Sequence, residues 1–178
     1  CKYIVFDTWY SASELMTYVC DLGKHFVCAL KDNRMISFDL GDGSEKSKTW
    51  IAVGQAELEP QRVYQVRVKG VPFTLNLVKK VYHNLDGSLG VQYLLCSDTM
   101  QDNEQIDQIY KNRWSSEDLH RSLKQNTALE KMPAKLPESQ SNHIFASMLA
   151  QVKLEALKIN TKKNHYALKK NILIEALK

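Results

Sequence analysis

The chain has no long hydrophobic run. Nothing in it approaches the roughly 18 apolar residues of a membrane-spanning helix, so no membrane partner is expected. No signal peptide precedes the first strand-like stretch. Cysteine pairing is missing too. Cys1, Cys20, Cys28 and Cys96 form no C-x-x-C motif, which argues against a zinc site or a disulfide framework and for reduced thiols in a cytosolic protein. A dominant charge of one sign is also absent. The 24 Lys+Arg against 20 Asp+Glu permit a polyanionic partner without requiring one. There is no start methionine: Cys1 stands in its place and strand-like sequence follows almost at once, as expected of a piece of a longer chain. Its 178 residues still suffice to bury a real core.

What is present begins as parallel α/β. Tyr3-Ile4-Val5-Phe6 reads as a strand buried on both faces and ending at Asp7. Ser11-Ala12-Ser13-Glu14 suggests a capping box with Ser11 as N-cap. Leu15, Tyr18, Val19 and Leu22 follow at helical spacing, and Gly23 closes the helix. Phe26-Val27-Cys28-Ala29-Leu30 is a second buried strand, completing a βαβ unit over residues 1–40. Asp7 then lies at the carboxyl end of a parallel strand, where open α/β sheets place ligands, although an Asp there also suits a turn or cap.

A β-rich segment is expected over residues 41–100. Gly41-Asp42-Gly43-Ser44 marks a loop flanked by Lys46 and Lys48. Arg62 to Val68 alternates, burying one face and presenting Arg62 with Gln65 or Arg67. Phe73 to Tyr82 and Val91 to Cys96 are further strands around the turn Asn84-Leu85-Asp86-Gly87. Trp50 reads as a buried anchor, or else as a platform for a displaced base.

Helices fill residues 101–178. Asp102-Asn103-Glu104-Gln105 is a capping box, and Ile106 and Ile109 give the helix a core edge. Ser115 and Asp118 suggest a break near Trp114, with Ser115 as a new N-cap and Glu117 in the first turn, where the helix dipole favours a carboxylate. Pro133 and Pro137 end that region. A helix capped by Ser141 runs through Lys158, with Ile144, Phe145, Met148, Leu149 and Val152 as its core face. The tail from Lys162 to Lys178 forms one more helix, carrying Tyr166, Leu168, Ile172 and Leu177; Lys162, Lys163, Lys169 and Lys170 suit a solvated face or a DNA contact.

Tyr110, Arg113, Glu117 and Lys124 are spaced three, four and seven apart, which keeps them on one face of a continuous helix, with His120 between the last two. A phenol, a guanidinium, a carboxylate and an ammonium in a row suit metal-assisted phosphodiester chemistry. They also suit a solvated face with ordinary charge pairs.

The spacing Y-(2)-R-(3)-E-(6)-K resembles the signature of the insertion-sequence-four group of bacterial DDE transposases, as does the pair Arg113-Trp114. Asp7-Thr8-Trp9-Tyr10, followed by a helix and Leu30-Lys31-Asp32-Asn33-Arg34, resembles the region around that group's second catalytic aspartate. The resemblance covers roughly residues 3–34 and 95–150. It implies a partial ribonuclease-H-like fold, made of the last parallel strands and the Glu-bearing helix, interrupted by the β-rich insertion and followed by C-terminal helices. It implies cut-and-paste transposition on double-stranded DNA at transposon ends and target, by a nucleoid-associated protein that forms a homodimer in a synaptic complex. Asp7 and Glu117 would be catalytic and hold two Mg²⁺ ions, with Mn²⁺ as the alternative ion, while Tyr110, Arg113 and Lys124 would bind DNA. The group's first catalytic aspartate belongs on a strand upstream of Asp7, and Asp39, Asp42 and Asp98 fall in the wrong places for it, so this stretch alone is expected to be inactive. A catalytically silent DNA-binding remnant, an unrelated basic nucleic-acid-binding module and a purely structural domain remain open.

Overall fold

The structure, a computed structural model, describes residues 1–41, 48–132 and 135–177. The expected loop at Asp42-Gly43-Ser44 with Lys46, and the stop assigned to Pro133, lie outside them. The backbone forms two compact units, Cys1–Arg113 and Trp114–Lys178.

The first unit is a mixed α/β layer built on one seven-stranded sheet. Strand β1 (Tyr3–Phe6) pairs in parallel with β2 (His25–Leu30), from Tyr3↔His25 to Phe6↔Cys28, and helix α1 (Ser13–Asp21) connects them, as the βαβ reading expects. Every other strand pair is antiparallel. The strands β3 (Met35–Ser37), β4 (Ile51–Ala52), β5 (Val63–Val68), β6 (Leu75–His83) and β7 (Leu89–Cys96) complete the order β1-β2-β7-β6-β5-β3-β4. The β-rich stretch thus continues the same sheet, β7 bonding along β2 from Val27↔Cys96 to Leu30↔Tyr93. Its β6–β7 hairpin turns at Asn84–Gly87, where Gly87 takes φ +81°, a left-handed conformation that costs glycine nothing.

Alternation along β2 decides the two cores. Phe26, Cys28 and Leu30 pack with Met16 and Val19 of α1, whereas Val27 and Ala29 face Ile106 and Tyr110 of α2 (Asn103–Lys111). β2 is buried on both faces. β1 is not: it lies at the sheet edge and Ile4 is exposed, because an edge strand is covered from one side only. Burial pushes the thiols of Cys28 and Cys96 up, Cys96 to about 11, so these free cysteines stay protonated and inert.

Several local expectations are corrected. Ser11 does not cap α1; Ala12 is its N-cap, without a side-chain bond, and Ser11 Oγ donates to the Thr8 carbonyl. Ser13 Oγ, inside the helix, donates to the Lys69 carbonyl at 3.1 Å, so a tertiary contact takes the hydroxyl nearest the helix start. Tyr18 and Leu22 are exposed, and Leu15, Met16, Val19 and Cys20 form the packed face instead. Gly23 does close α1, at φ +66°. Trp50 is half-buried, and the Asp102 capping box on α2 forms as expected.

In the second unit, α3 (Trp114–Asn126), α4 (Pro137–Thr161) and α5 (His165–Ala176) enclose a largely polar centre. Ser122 Oγ lies 2.9 Å from Gln151 Oε1, 3.0 Å from Asn126 Nδ2 and 3.0 Å from His165 Nδ1, and His165 Nε2 lies 2.7 Å from Glu155 Oε2. α4 starts at Pro137, not Ser141, because proline suits the first helical turn, and it ends at Thr161, beyond Lys158. Its expected core face is solvent-exposed: Ile144, Phe145, Met148, Leu149 and Val152 are all open, while Ser147, Gln151 and Leu154 are buried. Periodicity identifies an apolar stripe but not its neighbour, and here hydrogen bonds draw the opposite face inward. Leu168 is the buried residue of α5, whereas Tyr166, Ile172 and Leu177 are exposed.

Candidate active site

Asp7 follows β1 directly. Its Oδ1 accepts the Trp9 N–H at 2.9 Å and caps the 3-10 turn Thr8–Tyr10, while the Tyr10 N–H bonds to its carbonyl at 3.2 Å. The cap role open from sequence is therefore present, and it occupies one carboxylate oxygen.

Tyr110 sits in the last turn of α2 with its ring in the core against Val27 and Ala29. Burial pushes its hydroxyl above the usual range; Arg113 opposes this and the Asp7 charge adds to it. The Arg113 guanidinium lies 5.8 Å from the Tyr110 ring centroid, within cation–π range. Asp7 and Arg113 thus act electrostatically on the Tyr110 phenol, and all three residues belong to the first unit.

Glu117 and Lys124 belong to the second unit. The break expected near Trp114 is present: the N–H groups of Asn112 and Arg113 bond three residues back, to Ile109 and Tyr110, and α3 starts afresh at Trp114. Ser115 therefore lies inside α3 and is not its cap, although Glu117 does fall in the first turn, where the helix dipole favours its charge. Glu117 and Lys124, seven residues apart, stay on one side of α3. The Lys124 ammonium pairs with Glu130 at 2.8 Å.

Asp98, which lies in the wrong place for the first catalytic aspartate, is a firmly held carboxylate of the first unit. Its Oδ2 accepts from Tyr3 Oη at 2.6 Å and from Lys2 Nζ and Gln101 Nε2, each at 3.2 Å, and its Oδ1 accepts the Met100 N–H. The Tyr3 hydroxyl is the chief cause holding its pKa down at about 2. These partners gather at the amino end of β1, whereas Asp7 lies at the carboxyl end, so Asp98 braces the fold away from Asp7. A depressed folded pKa contributes stability that is complete above about 3.8 and lost as pH falls towards 2. Urea titrations of the wild type should therefore show a midpoint falling between pH 5 and pH 2.5. Asp98→Asn should lower the midpoint at pH 7 and flatten that acid slope.

Among the described residues, no three His, Cys, Asp or Glu side chains cluster as a metal site. Asp7 and Glu117 offer hard carboxylate oxygens, the donor chemistry that suits Mg²⁺, without forming a complete ligand set. No helix of the described residues is long and apolar enough to cross a membrane.

A comparison with curated proteins finds no match. The transposase DDE domain model matches residues 2–152, a span holding β1, Asp7, the whole sheet and the run from Tyr110 to Lys124. With most of its length following that model, the chain belongs to the transposase DDE domain family, the nucleases of DNA transposition.

Proposed function

We propose that this chain serves the divalent-metal-dependent strand cleavage and strand transfer of cut-and-paste transposition, as a transposase of the insertion-sequence-four group with a ribonuclease-H-like catalytic core. The observation that carries the reading is the family match over residues 2–152, which takes in both Asp7 after a parallel strand and the Tyr110–Arg113–Glu117–Lys124 series. Asp7 and Glu117 are the carboxylates that hold the metal. Mg²⁺, when bound, lowers the pKa of an attacking water or 3′-hydroxyl and neutralises charge on the leaving oxygen. Arg113 and Lys124 clamp phosphates of the transposon end, and the Tyr110 hydroxyl bonds the same backbone. Residues 41–100 act as the insertion of the core, and two copies pair in the synaptic complex.

Binding without cleavage is the second reading, favoured by the turn-capping bond that already engages Asp7 Oδ1. Incubating the full-length protein with labelled transposon-end duplex separates the two. Nicking that needs Mg²⁺ or Mn²⁺ and stops with EDTA supports cleavage; retained binding with no nicking in either ion supports the silent reading.

The DNA contacts have their own test. Arg113→Ala and Lys124→Ala should each flatten the slope of log K against log[salt] by about 0.9, with affinity falling alike for all sequences. Because Glu130 holds the Lys124 ammonium at 2.8 Å, Glu130→Gln should tighten DNA binding by releasing it. Unchanged salt slopes in the two alanine variants would assign Arg113 and Lys124 to the fold instead.

A further inference from the structure

Large aromatic side chains usually leave solvent on folding, but the Trp9 side chain is 79% exposed and Tyr10 beside it is 60% exposed. The turn that carries them is braced throughout. Asp7 Oδ1 accepts the Trp9 N–H, the Tyr10 N–H bonds to the Asp7 carbonyl, Ser11 Oγ donates to the Thr8 carbonyl at 2.9 Å, and the Ala12 N–H donates to the Tyr10 carbonyl at 2.8 Å. The backbone that carries the indole is thus held in place by these bonds.

The surroundings narrow what it meets. β1 and β2 run parallel, so the turns after them emerge at the same end of the sheet. The second turn, closed by the Arg34 N–H on the Lys31 carbonyl at 3.1 Å, brings Lys31 Nζ to 5.5 Å from the Trp9 ring centroid. The Arg34 guanidinium donates to Ser13 Oγ, so a second cation of that turn reaches the start of α1; Asp32 is the acidic residue between Lys31 and Arg34. An exposed indole with a cation over its ring is the arrangement that binds single-stranded nucleic acid: the ring stacks a base and the cation takes a phosphate. A paired base offers no free face, because its neighbours in the duplex cover both sides.

We propose that Trp9 is a stacking platform for an unpaired DNA base, with Lys31 taking an adjacent phosphate, two residues from Asp7. In its biological setting the proposal rests on the transposase reading, since opening of the duplex at a cleavage point beside Asp7 is what would present an unpaired base there. Stacking tolerates any base, so the platform would favour unpaired over paired DNA without reading sequence.

The test uses the full chain and a 12-nucleotide oligothymidylate with one central 2-aminopurine, whose fluorescence falls when it stacks. Wild type should quench the probe and bind it more tightly than the matching duplex. Trp9→Ala and Trp9→Leu should both weaken binding about tenfold and abolish the quenching, while Trp9→Phe keeps most of both. Lys31→Ala should keep the quenching and flatten the salt slope by about 0.7, the single-strand value per phosphate. Because Trp9 is exposed, these variants should keep the wild-type urea midpoint, and Trp9→Phe checks the site if the smaller replacements disturb folding. Unchanged affinity and quenching in Trp9→Ala and Trp9→Leu would overturn the platform. Asp7→Asn separates the two readings. If it stops cleavage while the Trp9 variants behave as wild type, the platform fails and the transposase reading stands. If the Trp9 variants lose the stacked base while Asp7→Asn still cleaves, the assignment of Asp7 fails and the platform stands.

Discussion

Asp7→Asn and Glu117→Gln, each made in the full-length protein, are expected to lower DNA strand cleavage by on the order of 10³-fold while leaving transposon-end binding nearly intact. Each replacement keeps shape and hydrogen-bonding capacity and removes only the charge that holds a metal. A metal supplies several kcal/mol of transition-state charge stabilisation, and about 1.4 kcal/mol corresponds to tenfold in rate. Asparagine is the informative replacement at position 7 because its side-chain oxygen can still accept the Trp9 N–H and cap the 3-10 turn. Alanine there would remove the cap as well, confusing about 1 kcal/mol of local stability with the loss of a ligand. At position 117, glutamine forfeits a favourable interaction with the α3 dipole of roughly 0.3–1 kcal/mol, far too little to explain a thousandfold effect. Measuring cleavage and gel-shift affinity on the same end duplex checks both halves. Near wild-type cleavage by either variant in saturating Mg²⁺ would remove that residue from the metal site.

Phe26→Ala should cost about 3–5 kcal/mol of stability, a large share of the roughly 5–15 kcal/mol that holds a domain together. Phe26 is fully buried near the start of the strand that both cores share. Its ring lies 5.6 Å from that of Phe6, and its backbone is pinned to Ser97 through the Phe26 N–H on Ser97 Oγ at 2.9 Å and the Ser97 N–H on its carbonyl at 3.1 Å. With the backbone fixed on both sides, the cavity left by the ring has little room to collapse, so the cost should lie towards the upper end. Phe145→Ala is the control. Its place in the α4 stripe gives it the sequence signature of a core residue, but its side chain is 68% exposed, so its midpoint in urea should move by the equivalent of about 0.5 kcal/mol or less. Equal losses from the two substitutions would mean that the α4 stripe is covered in solution.

The elements that sequence reasoning placed well are those whose partners are close in the chain. The Gly23 stop, the Asp102 capping box, the Asn84–Gly87 turn and the break before Trp114 each depend on backbone bonds and side chains a few residues apart, and the strand–helix–strand opening closes within the first thirty residues. The Ser11 cap and the Ser115 cap were misread for the complementary reason. A serine near a helix start satisfies the local pattern, but Ser11 turned to Thr8, Ser13 was taken by Lys69 from 56 residues away, and the helix at Ser115 had already begun one residue earlier. Asp98 is not marked in the sequence as a held carboxylate because, beyond its neighbours Met100 and Gln101, its donors Lys2 and Tyr3 arrive from the far end of the chain, and β2 and β7 must pair before they meet.

By itself the sequence determined the residue types and spacings: a carboxylate after the first strand, the Tyr110–Arg113–Glu117–Lys124 series, and the unbroken apolar run that buries β2 on both faces. Those are properties of period and composition, which the chain carries whether or not it is folded. Only the tertiary structure decided that β7 bonds to β2 and joins the β-rich stretch to the same sheet, and that the α4 stripe faces water while Ser147 and Gln151 go inside. Each of those outcomes depends on which long-range partner a face or an edge finds, and apolar periodicity is blind to it because the hydrophobic effect has no direction and names no partner.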